Sequence, residues 1–354
     1  MSGGVDSSVS ALLLQRQGYY VEAVFMQNWQ DQTEECNIAQ DFGDALAVCQ
    51  QLKMKLHLVN FAAEYWNKVF SYFLDEYAIG RTPNPDILCN KEIKFKAFLD
   101  HAQSMGADFI ATGHYTRISN DYLDHTKCLL KGIDNSKDQS YFLYLLNQQQ
   151  LVKTVFPIGE LKKSEVRKIA LEAGMVNYLK KDSTGICFIG EKKFKRFLSS
   201  YLLSRPGDIV TRTGSIIGKH DGLMFYTIGQ RKGIGIGGKQ GLAEAPWYVA
   251  EKDTTRNQLI VTQDRQDKTL FTRRLICLHP HWISGSRPDL PFNCRAKIRY
   301  RQPDEDCTIR IGSSNFELEV EFIRKQWAIT PGQSIVFYTG DKCLGGATIE
   351  NVRQ

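Results

Sequence analysis

The chain opens Met1-Ser2-Gly3-Gly4-Val5-Asp6-Ser7-Ser8, and no other stretch limits its fold so tightly. Two adjacent glycines let the backbone turn sharply and meet a ligand with no Cβ in the way, while Ser2, Ser7 and Ser8 offer hydroxyls to phosphate oxygens. Val9, Leu12 and Leu13 then recur at helical spacing and Gly18 is a stop. Asp6 to Ser8 therefore fall at a helix N-terminus, where unpaired N–H groups and the positive dipole end favour an anion. The stretch reads as a phosphate cradle, and the lack of a Gly-Lys-Ser/Thr ending separates it from the mononucleotide P-loop. A Gly/Ser-rich tail is the bland alternative. In α/β nucleotide folds such a loop leaves the carboxyl end of a buried strand, so a short Val/Ile-rich strand is expected roughly ten residues upstream of Met1.

At 354 residues the chain exceeds what one core usually serves, which predicts two or three domains. No apolar run reaches membrane-spanning length and no stretch reads as a signal peptide, so no membrane partner and a cytoplasmic location are expected. The net charge of +6 permits an anionic partner without demanding one. Nine cysteines include no Cys-x-x-Cys pair, which argues against a locally spaced zinc or iron–sulfur site and against a secreted disulfide framework.

Strands and helices alternate through the first half. Residues 20–26 and 56–60 read as buried strands; Ile38 to Leu52 gives one helix, and a second turns Trp66, Val69, Phe70, Phe73 and Tyr77 inward and stops at Gly80. A third helix carries Phe95, Phe98, Leu99 and Ala102, and residues 107–114 return as a strand ending in Gly113-His114. The pattern implies an α/β domain on a parallel sheet, with ligands at the strands' carboxyl ends, where Met26 and Gly113 fall. Between Gly80 and the third helix, Pro83 and Pro85 are expected to hold residues 81–90 extended. Cys89 precedes Lys91 and Lys94 at an expected helix start, a setting that favours the thiolate; it is a candidate nucleophile with Asp86 as acid or base, or else a buried cysteine beside a cap.

Lys137, Asp138 and Gln139 lead into an apolar helix and either cap it or contact phosphate and base. A surface helix begins at residues 156–160 and closes at Gly174. Lys180 to Ile189 then reads as a loop presenting Cys187, and the first domain is expected to span 1–191. In the middle, 192–270, Lys192, Lys193, Lys195 and Arg196 put a basic face on a short helix, and His220 and Asp221 read as solvated turn residues. Gly233 to Gly238 matches Gly-x-Gly-x-x-Gly but lacks the strand–loop–helix setting of a dinucleotide site. From 271 to 354 the chain shows short strands and no convincing helix. Arg295, Lys297, Arg299 and Arg301 would line one face of a strand opposite Ala296, Ile298 and Tyr300, either to read a phosphate backbone or as a solubilising edge. A small β-barrel fits.

Ser-Gly-Gly-Val-Asp-Ser-Ser resembles the pyrophosphatase loop of adenylating enzymes such as GMP and asparagine synthetases. Together with Asn-Pro-Asp-Ile-Leu-Cys-Asn, Ala-Thr-Gly-His-Tyr, Lys-Asp-Gln-Ser-Tyr and Asp-Ser-Thr-Gly-Ile-Cys-Phe in one order, it resembles the bacterial tRNA-specific 2-thiouridylases over nearly the whole chain. The resemblance implies an adenine nucleotide alpha-hydrolase-like domain with this pyrophosphate loop (PP-loop), a small central domain and a C-terminal β-barrel. It implies ATP on Met1, Ser2, Gly3, Gly4, Val5, Asp6, Ser7 and Ser8 with Met26 and Gly113 near the nucleoside, and magnesium on the pyrophosphate. It further implies adenylation of the C2 oxygen of a wobble uridine, then sulfur transfer from a persulfide on Cys187 supplied by a carrier protein, with Cys89 closing a disulfide with Cys187. Asn84, Pro85 and Asp86 would meet the flipped base, and His114, Lys137, Asp138, Gln139, Arg299, Tyr300 and Gln333 the tRNA. No metal-ligating set is read from the sequence. A ligase adenylating a small molecule would need the loop but neither cysteine; a non-catalytic tRNA-binding protein would need the cations but not the loop.

Overall fold

The computed structural model describes residues 1–29, 38–121, 125–182, 194–236, 245–314 and 316–353. Helix α1, Val5–Arg16, follows the opening loop and ends at Gly18. Strand β1, Ala23–Gln27, pairs in parallel with β2, Leu56–Asn60, and α2, Ile38–Gln51, lies between them in the chain. A second parallel pair joins β3, Ile110–Ala111, to β6, Thr154–Val155. The start of α1 lies between the two pairs. On one side the Met1 nitrogen donates to the Val24 carbonyl at 2.5 Å. On the other, Gly113 sits so close that a Cβ there would come within 2.8 Å of the Asp6 and Ser7 backbone. The strand expected over 107–114 shrinks to two paired residues because the chain peels off after Ala111 to meet α1.

Residues 62–78 and 85–104 form two helical rods, each with an internal π-helical run, Trp66–Phe70 and Cys89–Ala97. Val69, Phe70, Phe73 and Tyr77 of the first pack with Cys89 and Ile93 of the second around Trp29. Trp66, expected inward, is 42% exposed. The wider π turn rotates it off the apolar stripe, and it stacks on Trp29 at 5.8 Å instead. Residues 140–143 form a 3₁₀ turn rather than the expected helix, and the surface helix begins at Lys163 and runs to Glu172.

Strands β4, Thr116–Asp121, and β5, Thr126–Lys131, form a hairpin that the sequence reading missed. It leaves the N-terminal region to extend the C-terminal sheet through Leu129 and Leu130 opposite Cys343 and Lys342. In that sheet β11 (Phe271–Trp282), β14 (Glu317–Trp327), β13 (Glu305–Ile311), β12 (Phe292–Lys297), β15 (Ser334–Thr339) and β16 (Lys342–Arg353) follow in this order, and β11 pairs with β16 to close a barrel. Three of these strands run 11 or 12 residues, longer than the short strands expected. The barrel core holds Leu275, Ile309, Val320, Phe322 and Phe337.

The central segment begins with the helix Phe194–Ser199, whose Leu198 is buried in the aromatic cluster of Cys89. Lys192 and Lys193 lie outside the described residues; Lys195 pairs with Asp221. A four-stranded sheet follows, ordered β8 (Ile216–His220), β7 (Gly207–Thr211), β10 (Gln258–Thr262), β9 (Tyr248–Asp253). His220 is not a solvated turn residue. It ends β8 opposite Gly207, whose missing side chain leaves room for the imidazole, and it is fully buried with Nε2 at 3.1 Å from the Asn257 carbonyl and Nδ1 unpartnered.

Burial lowers the His220 pKa, a shift that the Asn257 carbonyl only partly offsets. The unfolded chain takes up a proton near pH 6.5 that the native ring resists, so native stability falls as pH drops below that value. Thermal melts from pH 8 to 5 should show a steeper loss for the wild-type protein than for His220→Phe.

Candidate functional site

The loop ahead of α1 is held open. Gly4 is the N-cap residue and no side chain caps the helix, so the first amides of α1 point out unclaimed. Ser7 and Ser8 each donate to the Gly4 carbonyl at 3.0 Å, and Ser2 Oγ lies 3.1 Å from Ser7 Oγ. Gly3 has φ +75°, and a Cβ there would stand 2.4 Å from the Asp41 carbonyl of α2. Only glycine fits. Asn177, which the sequence reading missed, donates from Nδ2 to the Gly3 carbonyl at 2.8 Å and to Ser8 Oγ at 2.9 Å.

The loop has no lysine of its own, yet one reaches it. Lys163, the first residue of its helix, puts Nζ 2.8 Å from both Asp6 carboxylate oxygens, and the Tyr115 hydroxyl donates to Asp6 Oδ1 at 2.7 Å. Lys163 also contacts Asp182 Oδ1 at 2.7 Å, and Asp182 in turn binds Lys137 at 2.7 Å and Arg167 at 3.1 Å. Lys180 bridges Asp41 and Asp44 of α2 at 2.6 and 2.5 Å. Four cations thus stand around the cradle, all partnered by carboxylates. Burial works against ionisation of Asp182, but hydrogen bonds from Lys137 and Lys163 outweigh it and hold the pKa at about 2. Among the described residues no group of three or more His, Cys, Asp or Glu could hold a metal ion.

The thiol side is built on the rod of residues 85–104. Residues 81–90 are not extended throughout: Asn84 caps the rod, its Oδ1 accepting from the Asp86 nitrogen at 3.1 Å, and Pro85 takes the first helical position, where a missing N–H costs nothing. Cys89 therefore sits one turn inside the helix rather than at its start. It is 5% exposed, and Met26 at the carboxyl end of β1 packs against the same cluster. Burial raises the Asp86 pKa, opposed by the charge of Lys94. Burial and then Lys94 lower that of His114, whose ring nitrogen Nδ1 lies 2.8 Å from Thr112 Oγ1. Asn90, between Asp86 and Lys94 on the rod, donates to the Phe142 carbonyl at 3.1 Å and leaves a buried Oδ1 unpartnered.

The four expected cations do not share one strand face: Arg295 and Arg301 are exposed, but Lys297 is buried and Arg299 part-buried. Strand β12 ends at Lys297, because Ala296 and Ile298 enter the barrel core and the chain turns. Lys297 is buried against Asp138 at 3.1 Å, with Asp138 also accepting from the nitrogens of Gly132 and Ser140. Arg299 Nη2 donates to the carbonyls of Ala328 and Ile228 at 2.6 and 3.2 Å and to Thr330 Oγ1 at 3.1 Å. Gln139 Oε1 accepts from the Tyr115 nitrogen at 2.9 Å, and Lys137 holds Asp182. Tyr300 packs on Phe142 with ring centroids 4.4 Å apart, and Gln333 Nε2 donates to the Thr82 carbonyl at 2.6 Å. These side chains join the segments to one another. Cys187 lies outside the described residues.

Replacing Lys163 with Met would break its ion pairs with Asp6 and Asp182, leaving Asp6 with the Tyr115 hydroxyl and Asp182 with Lys137 and Arg167. Because both carboxylates are about a third exposed, the cost is expected at about 1–2 kcal/mol. The lowered Asp182 pKa contributes stability that is present above the ordinary value of 3.8 and lost as pH falls toward 2. Urea titrations should show this acid loss in the wild type and a smaller one in Lys163→Met.

Three family models match the chain in order: a tRNA methyl transferase HUP domain over residues 1–191, a tRNA methyl transferase PRC-barrel domain over 195–263 and an aminomethyltransferase beta-barrel domain over 272–349. The protein of Methylococcus capsulatus named tRNA-specific 2-thiouridylase MnmA is 56% identical over 99% of this chain and 95% of its own length. Those of Marinomonas sp. and Legionella pneumophila strain Paris, similarly named, are 56% and 53% identical, covering 89% and 97% of the relative. No described helix is long and apolar enough to cross a membrane. With three domain models matched in sequence order and relatives above half identity from end to end, the chain belongs to the tRNA-specific 2-thiouridylase family.

Proposed function

We propose that this protein 2-thiolates the wobble uridine of tRNA at the cost of ATP, adenylating the C2 oxygen and replacing it with sulfur carried on Cys187. The observation that carries the reading is that Met26, on the strand end beside the phosphate cradle, packs into the cluster that holds Cys89. One site then serves nucleotide and thiol. The descriptions of the family models speak of methyl transfer, but a cradle of uncapped helix amides ringed by lysines suits release of pyrophosphate, a product of adenylation.

In this reading the amides of α1 and the backbone at Gly3 and Gly4 take the phosphates of ATP, and Lys163 and Lys137 are at hand to offset their charge. Asp6 is engaged by Lys163 and Tyr115, so a magnesium ion would arrive with the nucleotide rather than wait in a protein cage. A pyrimidine carbonyl oxygen is a poor leaving group until adenylated. Asp86, its pKa raised by burial, is suited to hold a proton and to take one from the base at the N3 position, and burial keeps His114 neutral. The base must leave the anticodon stack to reach this depth.

The terminal sulfur of a Cys187 persulfide then attacks C2, AMP leaves with the former oxygen, and Cys89 attacks the remaining persulfide sulfur to form a disulfide as the new thiocarbonyl is released. A persulfide carrier protein would supply the sulfur. The test is mass spectrometry of tRNA nucleosides after incubation with ATP and a persulfide donor. Cys187→Ser should abolish 2-thiouridine while tRNA and ATP still bind, and thiolation by that variant would refute the reading. Asp86→Asn should lower turnover by about 10²-fold or more with nucleotide affinity unchanged.

A further inference from the structure

Cys294 and Cys307 oppose each other directly in the antiparallel ladder of β12 and β13, with their sulfurs 3.7 Å apart. Opposed residues in such a ladder have Cα atoms about 4.5–5.5 Å apart. A disulfide spans Cα separations of about 4.4–6.8 Å, so the bond needs side-chain rotation and no backbone movement. The backbone is in any case fixed, since β12 also pairs with β15 and β13 with β14. The two thiols are unequal. Cys307 is 3% exposed, whereas Cys294 is only half-buried, so one sulfur is reachable and the other is shielded behind it. The contact with Cys294, then burial, raises the Cys307 pKa and keeps that sulfur protonated.

We propose that Cys294 and Cys307 form an oxidisable dithiol, a modification site separate from the thiol chemistry at Cys89, which closes to a β12–β13 disulfide on meeting a peroxide. The Cys294 thiolate attacks one peroxide oxygen, the O–O bond breaks and hydroxide leaves, giving a sulfenic acid. The Cys307 sulfur then attacks the Cys294 sulfur and loses its proton, and the sulfenic oxygen departs as water. Two electrons pass from the thiols to hydrogen peroxide, which becomes two waters. The bond would lock β12 to its neighbour just before Lys297 and Arg299, the two cations that tie the barrel to the other segments.

Nothing in this step draws on the thiouridylase reading, and a Cys89→Ser/Cys187→Ser background removes that chemistry from the experiment. Reduced protein is treated with hydrogen peroxide, free thiols are alkylated with iodoacetamide, and the digest is mapped by mass spectrometry. The expected product is a cross-linked pair of peptides containing Cys294 and Cys307, two hydrogens lighter than their sum and separated by dithiothreitol. Cys294→Ser should abolish the cross-link and leave Cys307 alkylated; should that variant misfold, the background protein's own map still decides. Recovery of both peptides singly alkylated, oxidation of Cys294 beyond the sulfenic acid without a cross-link, or pairing of Cys294 with another cysteine would overturn the proposal.

Discussion

The candidate site depends on a grip that the barrel exerts on the segment leading into it. The turn of residues 330–334 accepts from the Thr82 nitrogen through the Pro331 carbonyl at 3.1 Å, and Gln333 returns a hydrogen bond to the Thr82 carbonyl. Gly332 lies against Arg81 and Thr82, and Arg81 pairs with Glu350 of β16. Two residues later Asn84 caps the rod that carries Asp86 and Cys89. A free loop with two prolines would fix its own dihedrals but not its direction. The barrel, some 250 positions away in sequence, supplies the direction.

The buried pair of Asp138 and Lys297 acts in the same sense from the other side. Burying two charges is expensive, and such a pair adds little net stability unless the remaining hydrogen-bonding capacity is met. Here Asp138 also accepts from two backbone nitrogens, and the Lys297 ammonium lies 5.3 Å from the centre of the Tyr338 ring. The pair therefore specifies a register between the 137–139 turn and β12. That turn places Lys137 on Asp182 and Gln139 on the Tyr115 backbone, so its position is transmitted to the phosphate cradle.

What could be read from the sequence was local. The Ser-Gly-Gly-Val-Asp-Ser-Ser loop, its helix and the stops at Gly18, Gly80 and Gly174 all depend on neighbours within a turn, and all are found where periodicity and glycine put them. The apolar face of residues 69–77 was legible for the same reason, and failed only at Trp66, where a π turn breaks the 3.6-residue period. Lys163 and Asn177 were not legible, because nothing near them in the chain marks them, and Tyr115, though it ends the Ala-Thr-Gly-His-Tyr motif, shows no tie to Asp6 until the chain folds. The β4–β5 hairpin was missed because its place in the C-terminal sheet is decided by Lys342 and Cys343 at the start of β16, more than 200 positions away.

The Arg295 to Arg301 stretch shows how alternation misleads when a strand stops early. Period-two spacing correctly predicted that Ala296 and Ile298 face the core, and from that the cations should have faced water. The chain turns after Lys297, however, and the interior offers acceptors that a strand model does not contain: a carboxylate for Lys297, and two carbonyls and a hydroxyl for Arg299. All three are met by a single guanidinium nitrogen, Nη2, which so ties Arg299 to residues 228, 328 and 330 at one point. The density of cations that looked like an RNA-binding surface is thus in good part the means by which three regions of the chain are fastened together, and the net charge of the sequence overstates what that strand presents to a polyanion.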